Sequence, residues 1–199
     1  KLKSLGFTGF DGQYYLNIQN QYIDKSTGKT NIGNIRTTIN GMSAIQDYCK
    51  SNTIIKSDSE RERVNYRNIQ STVQFIQKIV KKHEGARLSP IFHNDFGFRI
   101  NYKEEKVLKP SFSIVRDLLN TWEQQKKIFR LIKRTQLTNW SFPNIRVDCS
   151  VVRSSKRINN RLIPEFRIES SDVFNNLETY EIEIELTNLQ DLVGKGEEE

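Results

Sequence analysis

With 199 residues, 31 Lys and Arg against 24 Asp and Glu, a net charge of +7 and a pI near 9.4, the chain has the size of one domain and suits a polyanionic partner. No run approaches the roughly 18 apolar residues of a membrane span, and Lys1-Leu2-Lys3 is not followed by a signal-peptide core. Cys49 and Cys149 lie far apart, and His83 and His93 stand alone, which favours reduced thiols over a disulfide framework and argues against zinc.

Gly6 to Gly12 forms a Gly-rich lead-in. Residues 14–23 read as a strand in which Tyr15, Asn17, Gln19 and Gln21 oppose Leu16 and Ile18. Residues 24–29, Asp-Lys-Ser-Thr-Gly-Lys, supply hairpin turn chemistry. In the next strand, 34–39, Arg36 and Thr38 stand against Ile35, Thr37 and Ile39. Asn40-Gly41 breaks it, and residues 42–50 fit a short helix with Met42, Ile45 and Cys49 on one side. Residues 51–66 are polar and charged and read as a long loop or insertion. Val, Phe and Ile dominate residues 72–80, which favours a strand.

Residues 96–102 read as a further strand, with Arg99, Asn101 and Lys103 alternating with Phe98, Ile100 and Tyr102. Residues 113–125 are expected to be helical, with Ile114, Leu118 and Trp122 at spacing four and Ser111 or Ser113 as N-cap. Two strands follow, 127–137 and 145–153, joined by a turn at 139–144. In the first, Arg130 and Arg134 share a face with Ile132, while Phe129, Leu131 and Lys133 take the other. In the second, Arg146, Asp148 and Ser150 oppose Ile145, Val147, Cys149 and Val151. A basic loop over 153–160 and a possible strand over 162–168 come next.

The last strand, 180–186, is the most regular. Glu181, Glu183 and Glu185 point one way, and Tyr180, Ile182, Ile184 and Leu186 point the other, toward an expected core. Three carboxylates about 7 Å apart along a strand repel one another, so this face suits open water, as on a charged edge strand, or a bound cation. Basic groups on four polar strand faces and acidic groups on a fifth amount to an organised polarity. A closed antiparallel barrel with a charged lumen, helices and loops outside, accounts for both faces. Arg36, Arg99, Lys103, Arg130, Arg134 and Arg146 would converge on an anion, and the glutamates on a divalent cation.

Phosphoanhydride hydrolysis needs both. A hard cation held by carboxylates bridges phosphate oxygens, and guanidinium groups offset the charge developing on the transferred group. Asp148, beside Arg146, is read as orienting that arginine by a salt bridge. No Walker loop, GxGxxG, HExxH or nucleophilic Ser or Cys setting competes.

Residues 180–186 (Tyr-Glu-Ile-Glu-Ile-Glu-Leu), 144–155 (Asn-Ile-Arg-Val-Asp-Cys-Ser-Val-Val-Arg-Ser-Ser) and 129–134 (Phe-Arg-Leu-Ile-Lys-Arg) resemble, in order and spacing, the triphosphate tunnel metalloenzymes. They are most similar to the RNA triphosphatase domain of giant-virus mRNA capping enzymes. Residues 14–22, 34–39 and 98–108 fit the same layout, so the resemblance covers most of the chain. It implies a mainly-β, α+β fold: an eight-stranded tunnel that removes the γ-phosphate of 5′-triphosphate RNA with Mg²⁺ or Mn²⁺. Glu181, Glu183 and Glu185 match the glutamate motif that binds metal and positions the attacking water. Arg130 and Arg134 match the basic strand, and Arg146 with Asp148 the Arg-x-Asp motif. Arg36, Arg99 and Lys103 are carried over as substrate-binding positions. The chain has Ile132 where the resemblance implies another basic residue, with Lys133 and Arg153 as candidate substitutes.

The family's early Glu-x-Glu strand has no counterpart before Gly12, which leads to the expectation that it lies upstream of Lys1 and that this single domain, 1–199, is part of a longer chain. Alternatively, the chain is a degenerate, inactive tunnel. A barrel short of a strand is expected to be marginally stable or to pair between molecules. The resemblance further implies guanylyltransferase and methyltransferase domains in the parent chain and action in the host cytoplasm, at the viral factory, or in the virion, and the lack of a long apolar run gives the expectation of no membrane association. Two other readings stand beside this one: a tunnel phosphohydrolase of small triphosphates, and a non-catalytic barrel that binds RNA 5′ ends.

Overall fold

Period-two alternation is realised as one antiparallel sheet in the computed structural model, which describes residues 2–9, 12–24, 26–54, 72–80, 82–101 and 103–187. Its long elements are β1 (Gln13–Ile23), β2 (Thr30–Asn40), α1 (Met42–Ser51), β3 (Val73–Val80), β4 (Lys103–Leu108), α2 (Ser113–Asn120), β5 (Lys127–Asn139), β6 (Phe142–Ser154) and β7 (Thr179–Leu186). The strand order is β7-β6-β5-β1-β2-β3-β4, and the short strand Thr8–Gly9 pairs with the far end of β5. The sheet curls into an open half-barrel of the tunnel type; among the described residues its edges, β7 and β4, do not pair. The closed form expected from the sequence is therefore not reached.

One face of the sheet carries the core. Leu16 and Ile18 of β1, Ile35 and Ile39 of β2, Val73 and Phe75 of β3, Leu108 of β4 and Phe129 of β5 pack against Ile45 and Tyr48 of α1 and Val115 and Leu119 of α2. Fully burying such side chains contributes about 1.5–3 kcal/mol each, so the two helices hold the sheet's outer layer in place. The junctions are tied by buried polar groups. Lys127 Nζ donates to the carbonyls of Trp122, Gln125 and Phe166 at 2.8, 2.6 and 3.1 Å and lies 5.4 Å from the Trp122 ring. Trp122 Nε1 donates to Asn52 O at 3.0 Å, and the Asn52 side chain accepts from Ile168 N and donates to Glu169. Asn52 ends α1 in the left-handed region at φ 55°, a conformation Asn tolerates.

Several expectations change. Tyr180, Ile182, Ile184 and Leu186 do not enter the core; they are 59–76% exposed, because β7 is an edge strand whose outer face no described element covers. Residues 96–102 do not form one strand. Phe98–Ile100 pairs with Ile91–His93 in a separate small hairpin, and a new strand, β4, begins at Lys103. Helix α2 stops at Asn120, buries Val115 and Leu119 instead of Ile114, and is preceded by Phe112 with no side-chain cap. In α1, Tyr48 joins Ile45 in the core while Met42 is exposed. Of residues 162–168, Leu162 ends a two-residue strand, Arg161–Leu162, paired with Arg157–Ile158, and the rest are irregular apart from a bridge between Glu165 and Lys127. Most of the expected 51–66 loop lies outside the described residues.

Candidate functional site

The opposite face of the sheet is polar, and strand register decides what meets on it. On the β5–β6–β7 side, Arg134 pairs with Ser150, Gln136 with Asp148, Asp148 with Glu183, and Arg146 with Glu185. Strands two apart are separated by nearly 10 Å, a gap a long guanidinium side chain can bridge on the concave side of a curled sheet. Arg130 of β5 thus reaches Glu181 of β7, with Nη2 at 2.7 and 2.9 Å from the two carboxylate oxygens. Arg134 of β5 reaches Glu183 of β7 at 3.1 Å and also donates from Nε to Ser150 Oγ at 3.2 Å. Arg146 pairs with Glu185. The Arg134 guanidinium lies 5.9 Å from the centre of the Tyr15 ring.

Asp148 sits at the middle of this group and is fully buried. Its Oδ2 is 3.0 Å from Arg134 Nη1 and its Oδ1 is 3.4 Å from Arg146 Nε, so it makes the orienting pair with Arg146 expected from the sequence and a second with Arg134. Neither contact is aligned as a hydrogen bond, and Oδ2 and Arg146 Nε have no hydrogen-bond partner. A buried carboxylate oxygen in that state has lone pairs to give. Carboxylate oxygens of Asp148, Glu183 and Glu185 come within 4.8 Å of one another. Hard donors at this spacing, one of them buried and under-satisfied, could hold a divalent cation. The structure therefore adds Asp148 to the acidic cluster, whereas Glu181 is turned toward Arg130. The signal for Asp148 was its place on the polar face of β6; its distance from Glu183 and Glu185 depends on the β6–β7 register.

On the other half of the sheet, Arg36 of β2 pairs with Glu105 of β4 at 3.1 Å, and Lys78 of β3 reaches the same carboxylate at 3.2 Å. Lys78 and Glu105 were missed from sequence: Glu105 sits between Glu104 and Lys106 and Lys78 follows Gln77, so neither strand shows a clean apolar–polar alternation there. Burial alone would push the Glu105 carboxyl up; the Arg36 and Lys78 charges outweigh it and hold it below the usual carboxylate range. A lowered folded-state pKa means a contribution to stability that is present above pH 4.5 and is lost as pH falls through the folded value. Glu105→Gln should accordingly flatten the acid side of the stability profile, by less than about 1 kcal/mol for a half-exposed pair. Urea midpoints at pH 7 and pH 3 check this; an unchanged difference between wild type and variant contradicts it.

The remaining sequence candidates are dispersed. Lys103 opens β4 on the charged face, in step with Glu105. Arg99 lies in the small hairpin outside the main sheet. Lys133 and Arg153 alternate onto the helix-covered side: Lys133 Nζ lies 5.8 Å from the Tyr14 ring, and Arg153 bonds to Phe174 O and Glu178. Between Arg130 and Arg134 the charged face holds Ile132, which is buried opposite Val152 and Tyr15.

No model of a known protein family matches the chain, and no curated protein matches it in sequence. Solved structures do match its fold. The RNA triphosphatase domain of a trifunctional mimivirus mRNA capping enzyme aligns over 95% of this chain and 71% of its own, at TM-score 0.51 and 18% identity. Triclinic and monoclinic forms of the mimivirus capping enzyme triphosphatase align with TM-scores of 0.50 and 0.51 at 17% and 16% identity, covering 96% and 95% of this chain and 72% of each of theirs. At these identities the likeness is one of fold.

Proposed function

We propose that the chain is a metal-dependent RNA 5′-triphosphatase domain that removes the γ-phosphate of a triphosphate-ended transcript, the opening step of cap formation. The observation that carries the proposal is the convergence of the Asp148, Glu183 and Glu185 carboxylates among Arg130, Arg134 and Arg146 on one face of a sheet with the capping-triphosphatase fold.

Asp148, Glu183 and Glu185 would hold Mg²⁺ or Mn²⁺, which would supply positive charge against that of the triphosphate. The chain's own groups do the rest. Arg130, Arg134 and Arg146 now neutralise the carboxylates; a triphosphate offers the same fork-shaped acceptors and takes them over, so the guanidinium groups move only from carboxylate to phosphate. Ser150 and Asp148 hold Arg134 from behind, which fixes its direction before the substrate arrives. A carboxylate of the glutamate strand accepts a hydrogen bond from the attacking water and orients it in line with the leaving diphosphate.

The edge of β7, unpaired among the described residues, supports a further element of the proposal: an additional acidic strand completes the tunnel and the cation's ligand set in a longer, multidomain capping polypeptide that works in the host cytoplasm or the virion. The test is γ-phosphate release by the full-length protein from triphosphate-ended RNA, inorganic tripolyphosphate and ATP, with Mg²⁺, Mn²⁺ or EDTA. Metal-dependent release with the highest kcat/KM on RNA is expected. Preference for tripolyphosphate would assign the site to small substrates, and RNA binding without release to a non-catalytic barrel.

A further inference from the structure

Between β3 and β4 the chain leaves the sheet and builds a hairpin of Ile91–His93 against Phe98–Ile100. Its rings are gathered but belong to no core. His93 stacks on Phe98 at 5.2 Å and 23° and meets Phe96 at 4.9 Å, while Phe96 and Phe98 are 6.4 Å apart and 20° from parallel. Phe96 is 76% exposed and Phe92 65%. Phe92, His93, Asn94, Gly97, Phe98 and Arg99 line an open cleft of about 430 Å³. Gly97, at φ 62°, makes the turn that presents the rings.

A cluster of flat, partly stacked rings in water is costly to leave bare and suits another flat apolar face. Charge narrows the occupant. The Arg99 side chain, which lines the same cleft, has no ion pair or hydrogen bond among the described residues, and the chain carries +7 overall. An exposed ring, Phe92, opposite a free guanidinium on one face of the hairpin, with the His93–Phe98 pair on the other, matches bases stacked on aromatic side chains with their phosphodiesters held by cations. The hairpin also leaves the sheet from a defined place, the paired Val80 and Lys103, and Lys103 lies on the charged face in step with Glu105. The same face of the sheet carries Arg36 and the acidic cluster.

We propose that this hairpin is a stacking platform for the unpaired nucleotides that follow the 5′ end of the RNA substrate. The assignment deepens the triphosphatase reading and rests on it for the identity of the RNA. The platform gives the site its preference for a transcript over a free triphosphate.

The experiment measures fluorescence anisotropy of a labelled single-stranded 5′-hydroxyl RNA 10-mer with the full-length protein and its Phe96→Ala and Phe96→Leu variants. In parallel, KM is measured for triphosphate-ended RNA and for tripolyphosphate. Phe96 packs against no core residue, so equal melting temperatures are expected. RNA affinity should fall about 10-fold in both variants. The RNA KM should rise in step, with tripolyphosphate hydrolysis unchanged. Unaltered RNA affinity in Phe96→Ala overturns the platform and leaves the triphosphatase reading standing. Wild-type affinity in Phe96→Leu would show a merely apolar contact, as for a docked protein, and also overturns it. Loss of RNA binding in both variants of a protein that hydrolyses nothing keeps the platform and removes the triphosphatase.

Discussion

Replacing Glu183 by Gln is expected to lower metal-supported γ-phosphate release about 1,000-fold, the equivalent of about 4 kcal/mol of charge stabilisation in the transition state. The side chain occupies nearly the same space, so the loss is one of charge. Glu183 stands between Asp148 on β6 and Glu185 on its own strand, with all three carboxylates within 4.8 Å, and taking its charge away leaves two donors where a hard cation needs several. Stability should hardly change, because the Arg134–Glu183 pair is about half exposed on the carboxylate side and such pairs contribute about 0–1 kcal/mol. The measurement is single-turnover release across a Mn²⁺ titration, with thermal melting as control. Activity regained at high Mn²⁺ marks weakened cation binding, whereas wild-type release at every concentration would remove Glu183 from the site.

Arg134→Ala should cost a comparable amount, about 1,000-fold, by analogy with the worth of a transition-state arginine in phosphoryl transfer. Arg134 contacts Asp148, Glu183 and Ser150 and leans on Tyr15, so it is the most constrained cation on the charged face. Most of the loss should appear in kcat, since the contact strengthens as charge moves onto the leaving phosphates. Arg134→Lys should recover only part of it, because an ammonium restores the charge without the two-pronged donor geometry. Arg134→Ala also leaves the buried Asp148 carboxylate with Arg146 as its remaining charged partner. A loss of stability of about 2–3 kcal/mol is therefore expected beside the loss of activity. The double variant with Glu183→Gln should lose less than the two single losses combined, since the residues touch. Full additivity in stopped-flow rates would contradict their working as one unit.

Much of this arrangement was legible because a strand writes its two faces into the sequence. Arg130 with Arg134, Arg146 with Asp148, and the three glutamates alternate with apolar neighbours, and each set lies on one face as its spacing requires. What alternation does not contain is the order of strands or their register. The Asp148–Glu183–Glu185 cluster arises from a pairing of residues more than thirty positions apart, and the Arg36–Glu105 pair from strands separated by a third. Alternation also does not say whether an apolar face is covered, which is why Ile182 and Ile184 looked like core and are exposed. The hairpin around Phe96 misled for a related reason. Its arms carry the same period as a sheet strand, and only the turn at Gly97 and the separate pairing with Ile91–His93 set it apart. In and after α2 the expected stripe of Ile114, Leu118 and Trp122 is met in part: Trp122 is buried and Leu118 packs partly against the core, while Val115 and Leu119 are buried and Ile114 is exposed.

The most direct measurement is Mn²⁺ binding itself, followed by the electron paramagnetic resonance signal of the free ion during titration of the full-length protein with tripolyphosphate present. One stoichiometric site in the wild type, lost in Glu183→Gln/Glu185→Gln and weakened in Asp148→Asn, is the predicted result. Equal Mn²⁺ uptake by the wild type and all these variants would place the cation elsewhere and contradict the site described.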